Sequence, residues 1–116
     1  MEKKMYRIVI VTRREKQEVL RSALIDIGVT GLTITKVKGF GIQKGIRKLI
    51  NGVLKDVDMF SKIKVEIVVC SVPVDAVINV AKKVLCTGEI GDGKIFVSEI
   101  DRVVRIRTGE ENAEAL

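Results

Sequence analysis

Residues 5–12 read Met-Tyr-Arg-Ile-Val-Ile-Val-Thr, a nearly continuous apolar run rich in β-branched residues. Such a run is a strand, and one this apolar needs cover on both sides, so it belongs in the middle of a sheet. The rest of the chain must be arranged around it. Thr12 and Glu15 stand at capping-box spacing and predict that a helix opens there. Val19, Leu20, Ala23, Leu24 and Ile27 then share one helical face, and Gly28 closes the helix. Residues 31–38 and 62–70 are predicted as the second and third strands, the latter with Ile63, Val65, Ile67 and Val69 on one face. Pro73 marks the start of a second helix, with Val74, Val77, Ile78, Ala81 and Leu85 as its apolar stripe and an end near Thr87 and Gly88. Residues 94–98 and 102–107 are predicted as a fourth strand and a short fifth one. The acidic tail 109–116 is predicted to be loose or a short cap.

Strand, helix, strand therefore occurs twice. The arrangement that lets both helices cover one face of a shared sheet is an α+β, ferredoxin-like βαββαβ sandwich, here one domain over residues 1–116. The other sheet face would carry Lys64 and Glu66 but also Val68 and Cys70. So mixed a face points to cover by another subunit, and an oligomer is expected.

A chain of 116 residues can bury enough surface to fold without disulfides or metal. Apolar residues make up 47% and aromatics only 3%, so the core must be aliphatic. Histidine is absent, which rules out Ser-His-Asp and Cys-His nucleophile systems and imidazole metal sites. Cys70 and Cys86 form no metal motif and are expected to be reduced core thiols of a cytosolic protein. The charged start, Met1 to Lys4, precedes an apolar run too short for a secretory leader. No stretch reaches the roughly 20 apolar residues of a membrane helix, so direct membrane insertion is not expected. The net charge of +6 calls for an anionic partner. Nucleic acid is disfavoured, because the three Phe and one Tyr form no patch interleaved with the basic residues.

The connection between the second and third strands, about 39–61, is long for a compact domain, and such loops are usually functional. It holds Gly39, Gly41, Gly45 and Gly52 together with Lys44, Arg47, Lys48 and Lys55. Its Asn51-Gly52 pair, flanked by Leu49, Ile50, Val53 and Leu54, is a hairpin signal, and an apolar tip of this kind is a contact surface.

Three segments carry chemistry. Thr87 to Lys94, TGEIGDGK, contains the outline of a phosphate loop, but Ile95 follows the lysine and the segment leads from a helix into a strand, the reverse of a P-loop. Its glycines and Lys94 still suit a phosphate, since backbone N–H groups approach closely where there is no Cβ; the alternative is a tight turn with a solvated lysine. In Val104-Arg105-Ile106-Arg107, strand alternation would put both arginines on one side, a placement that asks for an anion between them. Gly39 to Gly45 frees backbone N–H groups, and Gln43 offers an amide oxygen to Mg²⁺. No general base stands beside a nucleophile, so an enzyme is not expected.

These segments together resemble the PII nitrogen-regulatory signal proteins. The resemblance runs through 30–45, 62–66, 87–97 and 104–110 and covers essentially the whole chain. It implies a homotrimer of ferredoxin-like subunits that binds ATP or ADP between subunits. Thr33 and Val68 would lie near the adenine, Gly91, Asp92, Gly93 and Lys94 would hold phosphates, and Arg105, Ile106 and Arg107 would complete the clamp. Gly41 and Ile42 would contribute at the loop root. The resemblance further implies 2-oxoglutarate as effector beside Mg-ATP, with Gln43 on the metal, Gly41, Ile42, Gln43, Lys44 and Gly45 around the keto acid, and Lys62 on its distal carboxylate. The long loop is the family's T-loop, whose residues Arg47, Lys48, Leu49, Ile50, Asn51, Gly52, Val53, Leu54 and Lys55 would contact the partner: an ammonium channel first, nitrogenase or another nitrogen enzyme second. Lys55 stands where many members have the uridylylated tyrosine, Val53 where others have a phosphorylated serine, and Asn51 where channel-binding members have an arginine. Control by ligand alone is therefore expected. A low-turnover ATPase and a ferredoxin-like nucleic-acid module are the readings of other classes.

Overall fold

The β-branched run forms β1 (Met5–Arg13), and its alternation sends Ile8, Ile10 and Thr12 to the covered face, where each is 1% exposed or less. The structure, a computed structural model, describes residues 3–40, 47–50, 53–56 and 59–116. After β1 come α1 (Gln17–Asp26), β2 (Thr33–Phe40), β3 (Arg47–Ile50), β4 (Val53–Asp56), β5 (Met59–Val69), α2 (Val74–Leu85) and β6 (Lys94–Ile100). The main sheet has the order β2-β5-β1-β6, with every neighbouring pair antiparallel. β1 is thus central, as its sequence requires. Register places Ile8 opposite Ile67 and Val97, and Ile10 opposite Val65 and Ile95. Leu20 and Leu24 of α1 and Val77, Ala81 and Leu85 of α2 close over Ile8, Ile10, Ile63, Val65, Ile67 and Val69. The buried cluster is wholly aliphatic. This is the expected ferredoxin-like α+β sandwich.

The other face of the sheet is mixed as predicted. Lys64, Glu66, Val68 and Cys70 are all half-buried there, and Glu66 pairs with Arg7 and, at 3.7 Å, with Lys64. β3 and β4 pair with Ile50 opposite Val53, the two-residue connection that Asn51-Gly52 predicts; those two residues lie outside the described ones. The β2–β5 ladder continues to Phe40 opposite Met59, so the connection predicted as loop opens with paired strand. No described helix is long and apolar enough to cross a membrane.

Four expectations need correction. Thr12 caps no helix: it belongs to β1, and a short 3₁₀ turn, Arg14–Lys16, precedes α1 without any side-chain cap. Thr12 faces inward, where the loop before β6 crosses it, and its hydroxyl is taken by the Asp92 carbonyl at 2.8 Å. Cys86 is exposed, because α2 ends at Leu85 and the chain leaves the core there; Cys70 is half-buried and both thiols are free. α2 likewise stops before Thr87 and Gly88, and Gly88 instead adopts φ +82 in the loop.

Finally, 102–107 is not a strand. Its only ladder contact among the described residues is a bridge from Val104 to Glu111. The chain reverses tightly: Arg105 N–H donates to the Glu110 carbonyl at 2.8 Å, Gly109 N–H donates to the Arg105 carbonyl at 2.8 Å, and Gly109 adopts φ +76. Local closure around Gly109 wins over alternation, so Arg105 and Arg107 do not share a strand face.

Candidate functional site: the loop between α2 and β6

The loop from Thr87 to Gly93 is built around the Asp92 carboxylate. It accepts the N–H of Thr87 at 2.8 Å, the Thr87 hydroxyl at 2.6 Å and the N–H of Gly88 at 3.1 Å, and it pairs with the Arg13 guanidinium. The Thr87 hydroxyl and N–H, and then Arg13, hold the Asp92 carboxyl well below the usual carboxylate range. An internal anion thus organises the first half of the loop, and the Asp92 side chain is turned inward.

The second half is fixed by its carbonyls. Arg13 Nη2 donates to the Ile90 carbonyl at 2.9 Å, Lys62 Nζ to the Gly91 carbonyl at 2.5 Å, and the Thr12 hydroxyl to the Asp92 carbonyl. Three successive carbonyls are therefore drawn toward β1 and β5. A trans peptide is planar, with its N–H opposed to its C=O. The N–H groups of Gly91, Asp92 and Gly93 therefore point away from Arg13, Lys62 and Thr12. Successive N–H groups on one side of a turn form a concavity that suits an anion.

Glycine is required twice. Gly91 has φ +107, and a Cβ there would meet Arg13 Nη2 at 3.1 Å and Lys62 Nζ at 3.6 Å. Gly93 has φ +106, and its Cβ would stand 1.8 Å from the Val11 carbonyl oxygen. Lys94 follows at the start of β6, exposed and opposite Val11. Arg13 and Lys62 are themselves opposite each other on β1 and β5. Burial, and then the neighbouring Arg13 charge, lower the Lys62 pKa, while Glu15 and Asp92 oppose that shift.

Asp92, Gly93 and Lys94 line a groove of about 370 Å³ with Val11, Ile95, the α2 residues Ile78 and Lys82, and Cys86 just beyond the helix. Thr33 and Val68 line a different one, about 550 Å³, with Arg7, Gly31, Glu66 and Leu116. The two lie toward opposite edge strands, β6 and β2. Three strand spacings separate those edges, roughly 14 Å. Arg105 and Arg107 follow the far end of β6, about 20 Å of strand beyond Lys94. Arg105 pairs with Glu110 at 3.0 Å, and Ile106 is fully exposed. Among the described residues no ion pair joins either arginine to the loop. One chain therefore gathers Lys62, Gly91, Asp92, Gly93 and Lys94, gathers Thr33 with Val68, and places Arg105 and Arg107 past the end of β6 that lies away from Lys94. Gly41, Ile42, Gln43, Lys44 and Gly45 lie outside the described residues.

Sequence reasoning passed over Arg13 and gave Thr12 a helix-capping role in place of its bond to the Asp92 carbonyl. The signal for Thr12 was a polar residue at an inward position of an apolar strand. Arg13 carried none, because its partners lie more than seventy residues away.

The model of the family described as nitrogen regulatory protein P-II matches residues 5–110. The nitrogen regulatory PII-like protein of Bacillus subtilis is 49% identical over 116 residues, 100% of both chains. The nitrogen regulatory protein GlnK of Escherichia coli K12 is 45% identical over 109 residues, 94% of this chain and 97% of the relative. Among solved structures, a B. subtilis GlnK–ATP complex superposes with a TM-score of 0.84 at 46% identity, covering 100% of this chain and 99% of that one. Arabidopsis thaliana PII bound to citrate superposes with a TM-score of 0.77 at 36% identity, covering 99% and 94%.

Proposed function

Because the chain belongs to the nitrogen regulatory P-II family, we propose that it is a non-enzymatic signal transducer that binds ATP or ADP and 2-oxoglutarate and regulates a partner protein through residues 47–55. The carrying observation is the inward pinning of the Ile90, Gly91 and Asp92 carbonyls, which turns the next three N–H groups outward beside Lys94. That arrangement suits the phosphates of a nucleotide. The B. subtilis GlnK solved with ATP supports the ligand. Thr33 and Val68 serve the adenine, and Gly91, Asp92, Gly93 and Lys94 the phosphates. Asp92 takes part through its backbone, since its carboxylate is engaged within the loop.

The two grooves lie toward opposite sheet edges of one chain, so a nucleotide that uses both sits between copies. A head-to-tail contact makes a ring when its rotation closes, and the ring we propose, from the resemblance to the family, is a homotrimer. Arg105, Ile106 and Arg107, separated from Lys94 within one chain, belong to the same junction. Gln43 would hold Mg²⁺, which would offset phosphate charge beside the nucleotide, and 2-oxoglutarate would be met by Gly41 to Gly45 and, at its distal carboxylate, by Lys62. The citrate bound to the Arabidopsis relative, itself a polycarboxylate, favours an effector of that chemistry. The partner is an ammonium channel or, second, an enzyme of nitrogen metabolism, met from the cytoplasm by the β3–β4 hairpin. With Lys55 and Val53 at the modification positions, ligands alone set its state.

Calorimetric titration of wild type and Lys94→Ala with ATP tests the nucleotide reading. Removing one cation from a phosphate should cost about 2 kcal/mol, roughly thirtyfold in affinity, with the fold intact. Equal affinity would remove Lys94 from the site.

A further inference from the structure

We infer that Arg13 is a positioning residue of the nucleotide site, acting through Asp92 and the Ile90 carbonyl to hold the 87–93 loop in its binding shape. The inference rests on the nucleotide reading above. Arg13 is the last residue of β1, and its guanidinium reaches both halves of the loop. Nη1 pairs with the Asp92 carboxylate and lies 3.4 Å from the Thr87 hydroxyl, while Nη2 holds the Ile90 carbonyl at 2.9 Å. Three loop residues converge on one planar fork, a geometry that a lysine ammonium on a flexible stem does not reproduce. The side chain is only about a quarter exposed.

Two consequences follow. Withdrawing Arg13 leaves Asp92 to Thr87 and Gly88 alone, and it frees the Ile90 carbonyl. That peptide can then rotate, taking with it the N–H of Gly91 that faces the ligand. Lys62 and Thr12 still hold the next two carbonyls, so the loop loses its shape in part and the sheet keeps its own. A loop that is binding-competent only about a tenth of the time binds about tenfold more weakly.

The experiment measures ATP and adenosine affinities of wild type, Arg13→Ala, Arg13→Lys, Asp92→Asn and the Arg13→Ala/Asp92→Asn double variant, together with amide hydrogen exchange at Thr87 and Gly88 without nucleotide. Arg13→Ala should bind ATP about tenfold more weakly and adenosine unchanged. Arg13→Lys should recover part of the loss. The double variant should bind ATP more weakly than Asp92→Asn alone, through the lost Ile90 contact, but by less than the two single losses combined, because both changes break the Arg13–Asp92 pair. Exchange at Gly88 should quicken in Arg13→Ala. Full additivity in the double variant would mean that Arg13 touches the nucleotide directly, and unchanged ATP affinity would mean that it does not position the loop; either overturns the inference. If wild type bound no ATP, the nucleotide reading would fall by itself, and unchanged Gly88 exchange in Arg13→Ala would separately refute the clasp.

Discussion

Replacing Gly93 with alanine should destabilise the protein far more than the same change at Gly88. Both glycines have positive φ, +106 and +82 respectively. They differ in what a methyl group meets. At Gly88 nothing lies within 4 Å, while at Gly93 the Cβ would stand 1.8 Å from the Val11 carbonyl oxygen, 2.8 Å from its carbon and 3.0 Å from Thr12 Cα. Ordinary contact begins at 3.4 Å, so the loop and β1 would have to part by well over an ångström. β1 cannot yield, because β5 and β6 hold it on both sides. The loop cannot yield without breaking the Thr12–Asp92 hydrogen bond. An unfavourable backbone region costs about 1–3 kcal/mol, and forced overpacking adds about 1–3 kcal/mol. Gly93→Ala should thus lose about 4 kcal/mol, a large part of the roughly 5–15 kcal/mol that holds a domain folded. Gly88→Ala should lose about 1–2 kcal/mol, the conformational part alone. Urea unfolding at matched protein concentration measures both. Equal losses would show that the loop does not cross β1 as described.

Thr12→Val keeps the shape of the side chain but leaves the Asp92 carbonyl without its donor; unfolding free energy should fall by about 1–2 kcal/mol, and no loss in urea would disprove the bond's importance. Asp92 gives a pH signature. Its folded pKa is lowered, so its contribution to stability is complete above the ordinary carboxylate pKa of about 3.9 and is lost as pH falls through the lower folded value. The Thr87 and Gly88 amide resonances should hold constant from neutral pH to about 4 and move only in stronger acid, whereas a midpoint near the ordinary value would contradict the clasp.

The strands and helices were legible because each repeats a signal of one period. β1 reads as central because it is apolar throughout, β5 because Ile63, Val65, Ile67 and Val69 alternate, and the β3–β4 hairpin because Asn51-Gly52 sits between apolar pairs. The same alternation misled at 102–107. A strand needs a neighbour, and there a tight return at Gly109 offered one only at Glu111. The glycines of the 87–94 loop were readable as a backbone requirement. The inward turn of Asp92 was not, because Arg13 and Thr12 come to it across the fold, and no local pattern encodes which pole of a peptide faces inward. Spacing suggested a capping box at Thr12 for the same reason: the local partner, Glu15, was visible and the distant one, the Asp92 carbonyl, was not.

The most direct test of the account is a calorimetric titration of 2-oxoglutarate into the protein with Mg-ATP, with Mg-ADP, and with ATP plus a chelator. If the metal joins the phosphates, Gln43 and the keto acid, 2-oxoglutarate should bind only with Mg-ATP. By linkage it should then tighten ATP by the same factor that ATP tightens it. Equal 2-oxoglutarate binding in all three conditions would contradict a shared site at the junction between copies.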